Sequence, residues 1–320
     1  MEIYQVLLIC LGISLIIIFS LLFFLAYRTY SLAFSKKFNP EPGKRVYVHS
    51  KDNRYVLYYE KDWIKSVPFK QVSIPSFDKT TLYAHFLKNK DNHKYIISSH
   101  GYRGEWEELS IPCRYLNEKE NYNLLMIEQR GHGQSKYPIT TFGDKESRDL
   151  LKWIEYLIKI DPKAQICLYG LSMGASIVMD ACGFNLPSNV KCAIEDCGFS
   201  SIKKEITHVA SKKIKNKVKL KFSVSMVQLV AFILHNFSFN RNYPVKNLKN
   251  SITPILMIHG GQDRYVPTYM LEENYSAVKE NVYKEKHIFP EASHALSCRV
   301  DFPKYMEIVT NFLHKFIKDK

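Results

Sequence analysis

The chain has 320 residues, 46% of them hydrophobic and 24% charged, with a formal net charge of +14 at neutral pH; this composition excludes a disordered or fibrous chain and leaves room for one large domain with an accessory segment, or two small ones. Half of the charge excess lies in residues 201–221, where eight lysines stand against Glu205 alone, so the basic balance is local and does not describe a nucleic-acid-binding surface. The seven cysteines are odd in number, contain no Cys-x-x-Cys and sit mostly in apolar patterns, which fits buried small hydrophobes better than a disulfide framework or a zinc site and favours a reducing compartment.

Residues 6–27 are almost entirely Leu, Ile and Phe without a charge, long enough to cross a hydrocarbon core as a helix. A cleaved signal peptide is the rival, weakened by the overlong apolar stretch and by a flank before it without lysine or arginine. Glu2 precedes the span, whereas Arg28, Lys36, Lys37, Lys44 and Arg45 follow it. The positive-inside rule therefore puts the remainder of the chain on the cytoplasmic face of a cell membrane. Residues 28–69 read as a juxtamembrane connector, broken by Pro40, Pro42 and Gly43.

From residue 70 onward the chain alternates strand and helix patterns. Residues 70–74 and 81–86 read as an antiparallel pair, 94–99 as a strand ending in His100-Gly101, and 105–119 as a helix. A strand over 123–127 ends in Glu128-Gln129-Arg130-Gly131-His132-Gly133, and 143–160 is amphipathic, with Leu150, Leu151, Ile154 and Leu157 on one face. Strands follow at 166–169, 190–194, 254–259 and 285–289, with helices at 175–180, 268–278 and 300–316. The rhythm predicts a parallel sheet covered by helices on both faces, with ligands at the carboxyl ends of its strands. Residues 198–250 carry no strand signal; they pair the lysine-rich stretch with an apolar helix at 224–234 and read as a helical cap.

The run Leu168-Tyr169-Gly170-Leu171-Ser172-Met173-Gly174-Ala175 sets one serine between two glycines, where a strand turns into a helix. Such a turn fits a nucleophile elbow, which leaves the serine hydroxyl exposed at the strand end and needs small residues two positions to either side. A serine attacks only where a base takes its proton and a carboxylate orients the base. Asp263, in Gly260-Gly261-Gln262-Asp263, follows one strand, and His294, in Pro290-Glu291-Ala292-Ser293-His294, follows the next. Asp196, also after a strand, is a competing acid; His259 and His287 read as strand-end or core histidines.

In the order and context of Ser172, Asp263 and His294 the chain, from about residue 70 onward, resembles the serine-nucleophile α/β-hydrolase superfamily, closest to bacterial hydrolases with a short helical cap and an amino-terminal membrane segment. The resemblance implies a mostly parallel eight-stranded sheet flanked by helices, divided here as a transmembrane anchor over 1–27, a connector over 28–69 and a catalytic domain over 70–320. It implies Ser172 as nucleophile, His294 as general base and acid, and Asp263 as its orienting carboxylate. The oxyanion hole is then formed by the backbone amide of Met173 and, from the family's His-Gly-x motif, that of Tyr102, whose ring either lines the pocket or packs. His100, His132 and the Glu128 turn take structural roles. No cofactor or metal is implied, since Walker-type, Rossmann-type and His-Glu-x-x-His motifs do not occur. The expected activity is hydrolysis of a carboxylic ester or thioester of a small or lipid-like acyl group, carboxylesterase- or lipase-like, at a membrane that the basic cap also contacts. A peptidase or amidase with the same three residues, and a non-catalytic membrane-tethered binding module on this fold, are the alternatives.

Overall fold

The computed structural model describes residues 3–38, 60–241 and 243–318. Eight strands form one sheet: β1 (Lys70–Pro75), β2 (Thr81–Leu87), β3 (Lys94–Ser99), β4 (Asn123–Glu128), β5 (Gln165–Leu171), β6 (Val190–Asp196), β7 (Ile255–Gly260) and β8 (Lys284–Phe289). Their spatial order is β1-β2-β4-β3-β5-β6-β7-β8. The pairs β1–β2 and β2–β4 are antiparallel and the others parallel. The helices are α1 (Ile3–Phe34), α2 (Lys61–Ser66), α3 (Ser110–Glu118), α4 (Glu146–Ile160), α5 (Met173–Cys182), α6 (Ile202–Ser211), α7 (Lys217–His235), α8 (Pro244–Leu248), α9 (Tyr269–Ala277), α10 (Ser297–Val300) and α11 (Phe302–Phe316).

The central strands are apolar on both faces because helices cover both. Every residue of β3, β4 and β7 is buried. One core joins Tyr95, Ile97, Leu125, Leu150, Trp153, Ile177 and Val230, and the other joins Ile96, Leu124, Met126, Leu116, Val309 and Phe312. At the free edge β8 reads Lys284-Glu285-Lys286-His287 and stays partly exposed, a charged edge that resists further strand pairing. The chain runs from β3 to β4 on one side, then returns to β5 on the other. That reversal opens a crevice between the carboxyl ends of β3 and β5.

Two elements extend beyond their sequence signals. The apolar helix does not stop at Tyr27 but continues to Phe34, so the expected connector begins as its last two turns. Its burial there is periodic: Ala26, Tyr30 and Phe34 are buried at four-residue steps, and Phe34 meets the rings of Phe142, Phe237 and Phe239 at 5.4, 5.5 and 5.7 Å. The breakers Pro40, Pro42 and Gly43 lie outside the described residues. In the expected cap, α6, α7 and α8 are indeed helical, but α7 starts at Lys217, seven residues before its apolar signal. Asn216 caps it through its side chain, accepting from the Lys219 amide at 3.0 Å. Leu220, Val224, Val227, Val230 and Ala231 form its buried face, and the lysines occupy the exposed one.

Candidate active site

Ser172 is the first residue after β5 and heads α5, with φ 55° and ψ −116°. A serine pays steric strain at such angles, and the surroundings must hold it there. Its amide donates to the Asp196 carbonyl at 2.7 Å. Behind it, the turn packs backbone against backbone: a Cβ on Gly174 would lie 1.9 Å from the Ser99 carbonyl oxygen at the end of β3. Gly174→Ala should therefore cost at least about 3 kcal/mol, because backbone cannot step aside as a side-chain tip does. A fall in the urea midpoint checks this; an unchanged midpoint would show that the start of α5 and the end of β3 do not meet so closely.

Asp263 and His294 come together for the same reason. The loops after β7 and β8 touch through main chain, with Gly261 N donating to Phe289 O at 2.8 Å and Gln262 N to Ala292 O at 2.9 Å. A Cβ on Gly260 would stand 2.5 Å from the Ala292 carbonyl oxygen. Asp263 Oδ1 accepts the amides of Tyr265 (2.8 Å) and Val266 (3.0 Å). That leaves Oδ2 to accept from His294 Nδ1 at 2.6 Å, while His294 Nε2 lies 2.8 Å from Ser172 Oγ. The carboxylate only accepts, so Nδ1 carries the ring proton and Nε2 is the acceptor for the serine hydroxyl.

The Asp263 side chain is fully buried and that of His294 is 22% exposed, so the carboxylate lies beneath and the imidazole opens toward the crevice. Burial works against a charged His294 ring, but the charge of Asp263 and its hydrogen bond outweigh it and hold the imidazole pKa above its ordinary value.

The competing acid is placed elsewhere. Asp196 accepts from Tyr305 Oη at 2.8 Å, and Tyr305 in turn meets Tyr169 Oη at 2.5 Å. Burial pushes the Asp196 carboxyl up to about 7. His259 is buried and bonded through Nε2 to the Val266 carbonyl at 2.9 Å, and His287 lies on the edge strand. His100 and His132 brace the loop after β3: His100 Nε2 accepts from Gln129 N at 3.0 Å and His132 Nε2 from Arg103 N at 2.9 Å. Glu128 pairs with His85 at 2.8 Å and closes its own turn through the Gln134 amide.

Met173 is the first residue of α5, where amides have no acceptor within the helix and the dipole favours an anion. Gly101 packs against the nucleophile side, a Cβ there falling 3.3 Å from Ser172 Cβ, which brings Tyr102 beside it. Among the described residues, Cys197, Asp263 and His294 present metal-type donor atoms within 4.8 Å of one another; the Asp263–His294 pair spends its lone pair and proton on a mutual hydrogen bond.

Sequence reasoning missed several contributors. Tyr265 stands beside His294, ring centroids 5.6 Å apart. His208 and Lys212 clamp α6 and its end onto the Asp263 loop through the Arg264 carbonyl, at 3.0 and 2.8 Å. Their four-residue spacing was visible in the sequence, but their target, a backbone oxygen, was not.

The sheet order, the serine turn at the carboxyl end of β5 and the two loops that meet beside it are those of the α/β-hydrolase fold, which the chain shares. Residues 90–245 match the family described as serine aminopeptidase, S33. The chain is similar to the uncharacterized protein YqkD of Bacillus subtilis, 26% identical over 60% of this chain and 62% of the relative. It is likewise similar to the uncharacterized protein YfhR of Escherichia coli K12, 24% identical over 62% of each; both matches thus span under two thirds of the relatives' length. Among solved structures, an esterase of Pyrococcus furiosus superposes with a TM-score of 0.67 at 24% identity, over 86% of this chain and all of that one. The acylaminoacyl peptidase of Pyrococcus horikoshii gives 0.58 at 19% identity, over 83% of this chain and 45% of that one.

Proposed function

We propose that the protein is a membrane-anchored serine hydrolase that cleaves a carboxylic ester or thioester of an acyl or lipid-like substrate through an acyl-enzyme. The observation that carries this reading is the unbroken hydrogen-bond series from Ser172 Oγ through the His294 ring to Asp263. His294 Nε2 takes the hydroxyl proton as Ser172 attacks the carbonyl carbon, and the amides of Met173 and Tyr102 hold the developing oxyanion. The imidazolium then returns its proton to the leaving alcohol or thiol. A water, deprotonated by the same nitrogen, attacks the acyl-serine; on collapse the proton returns to Ser172, and the acid and free enzyme separate.

The membrane part of the reading rests on α1, long and apolar enough to cross a bilayer by length and composition, whose apolar run over residues 6–27 is followed by Arg28, Lys36 and Lys37. It rests also on α7, whose outer face exposes Val218, Phe222, Leu229 and Ile233 in one stripe beside Phe232. Lys215, Lys217, Lys219 and Lys221 surround the start of that stripe; near an acidic lipid surface each adds about 1 kcal/mol. In vesicles, Phe232→Asp should slow hydrolysis of a bilayer-borne ester several-fold and leave a water-soluble ester untouched. Equal rates on both would remove α7 from the membrane contact.

A peptidase or amidase reading is favoured by the description of the matched family. A panel of short- and long-chain esters, thioesters and aminoacyl amides, assayed on the full chain in detergent, separates the two. Esters or thioesters with medium or long acyl chains should turn over fastest; faster cleavage of aminoacyl amides would replace the ester reading with the peptidase one.

A further inference from the structure

We infer that the last turn of α1 is a working part of the active site, with Tyr102 and Arg103 as positioning residues that fix the oxyanion loop on the end of that helix; this rests on the serine-hydrolase reading above. A helix ends with carbonyls that find no partner within it. In α1 three consecutive ones are taken by the hydrolase body. Leu32 O accepts from Arg103 Nη2 at 2.5 Å, Ala33 O from the Tyr102 hydroxyl, and Phe34 O from the Thr140 amide at 2.8 Å. The guanidinium also meets the negative end of the helix dipole.

The same two residues carry the loop backbone. Arg103 holds φ 57° without being glycine, a conformation that persists only under outside restraint. Its amide is tied to His132 and its side chain to α1, and its guanidinium lies 4.9 Å from the centre of the Tyr102 ring. That ring packs on Phe142 at 4.8 Å, and Phe142 packs edge-on to Phe34 of α1 at 5.4 Å. Hydroxyl, guanidinium and rings thus tie the loop that carries the Tyr102 amide to α1 in three ways. The Tyr102 ring serves the loop rather than the substrate pocket, and an apolar helix that reads as a dispensable anchor helps to set the geometry of the oxyanion hole.

The test uses the full chain and a water-soluble ester, so that membrane presentation plays no part. Removing an oxyanion donor outright costs about 10²–10³ in kcat; loosening the loop that carries one should cost about tenfold. Tyr102→Phe removes only the hydroxyl, and Phe34→Ala, on α1, touches no reacting group. Each should lower kcat about tenfold with KM within about twofold, and the pair should combine with less than the product of the two losses, because both loosen the same attachment of the loop to α1. Both variants should still take up a fluorophosphonate fully, only more slowly. If both keep the parental kcat, or if the losses multiply independently, the inference is overturned. Should Phe34→Ala fail to fold, Tyr102→Phe decides alone. A parent protein that takes up no fluorophosphonate would instead sink the serine-hydrolase reading itself.

Discussion

Ser172→Ala is expected to abolish fluorophosphonate labelling and to lower ester hydrolysis by about 10⁴-fold or more, while the protein stays folded. The side chain of Ser172 contributes one hydrogen bond at the mouth of the crevice, to His294 Nε2; alanine keeps the Cβ that fits against Gly101 and changes little in the packing. The backbone strain at φ 55° is borne by either residue. The chemistry, by contrast, loses the atom that forms the acyl-enzyme, and groups that act as one unit lose nearly everything when one member is removed. A thermal unfolding midpoint within a few degrees of the parent, together with activity at the level of the empty amide cradle, is the expected pair of results. Labelling that persists in Ser172→Ala would move the nucleophile to another residue and end the assignment.

What the sequence disclosed and what it hid divide along physical lines. The turn around Ser172 was legible because its chemistry is local: a strand, two small residues and a helix start within eight positions. Asp263 and His294 were legible as strand-end residues in the right order, and the structure sets Asp263 within hydrogen-bond reach of His294, and His294 within reach of Ser172. Their pairing depends on main-chain contacts between Gly261 and Phe289 and between Gln262 and Ala292, which no periodicity reports. The end of α1 was hidden for a related reason. Its stripe of Ala26, Tyr30 and Phe34 has the spacing of a packed helix face, but it is embedded in a segment apolar on every side, where a buried face has no contrast. The start of α7 was hidden by the opposite effect, since its lysines mask a buried row that begins at Leu220.

Asp263→Asn should cost about 10⁴-fold in kcat with the fold intact, and the reason lies in which oxygen is replaced. Oδ1 accepts two backbone amides, from Tyr265 and Val266, so an asparagine must keep its carbonyl oxygen there and turn its NH₂ toward His294. Nδ1 must then accept rather than donate, the proton moves to Nε2, and the nitrogen facing Ser172 can no longer take the hydroxyl proton. The pH dependence gives an independent reading. In the parent, burial disfavours imidazolium, but the Asp263 charge and hydrogen bond raise the pKa above its ordinary value. The base must be neutral to act, so kcat/KM should fall as pH drops through that raised value, placing the acid limb above the ordinary histidine range. Without the Asp263 charge the burial effect remains, and the residual activity of Asp263→Asn should show its acid limb at lower pH. Asp196→Asn provides the contrast. Its carboxyl bonds to Tyr305 and is pushed up to about 7 by burial, so the amide substitutes for a group already reluctant to ionise, and the loss should stay within about tenfold with the acid limb moved far less than in Asp263→Asn, since the Asp196 charge raises the His294 pKa less than Asp263 does. If instead Asp196→Asn carried the large loss and moved the limb while Asp263→Asn remained active, the orienting carboxylate would be the one after β6, and the series from Ser172 would have to be redrawn through it.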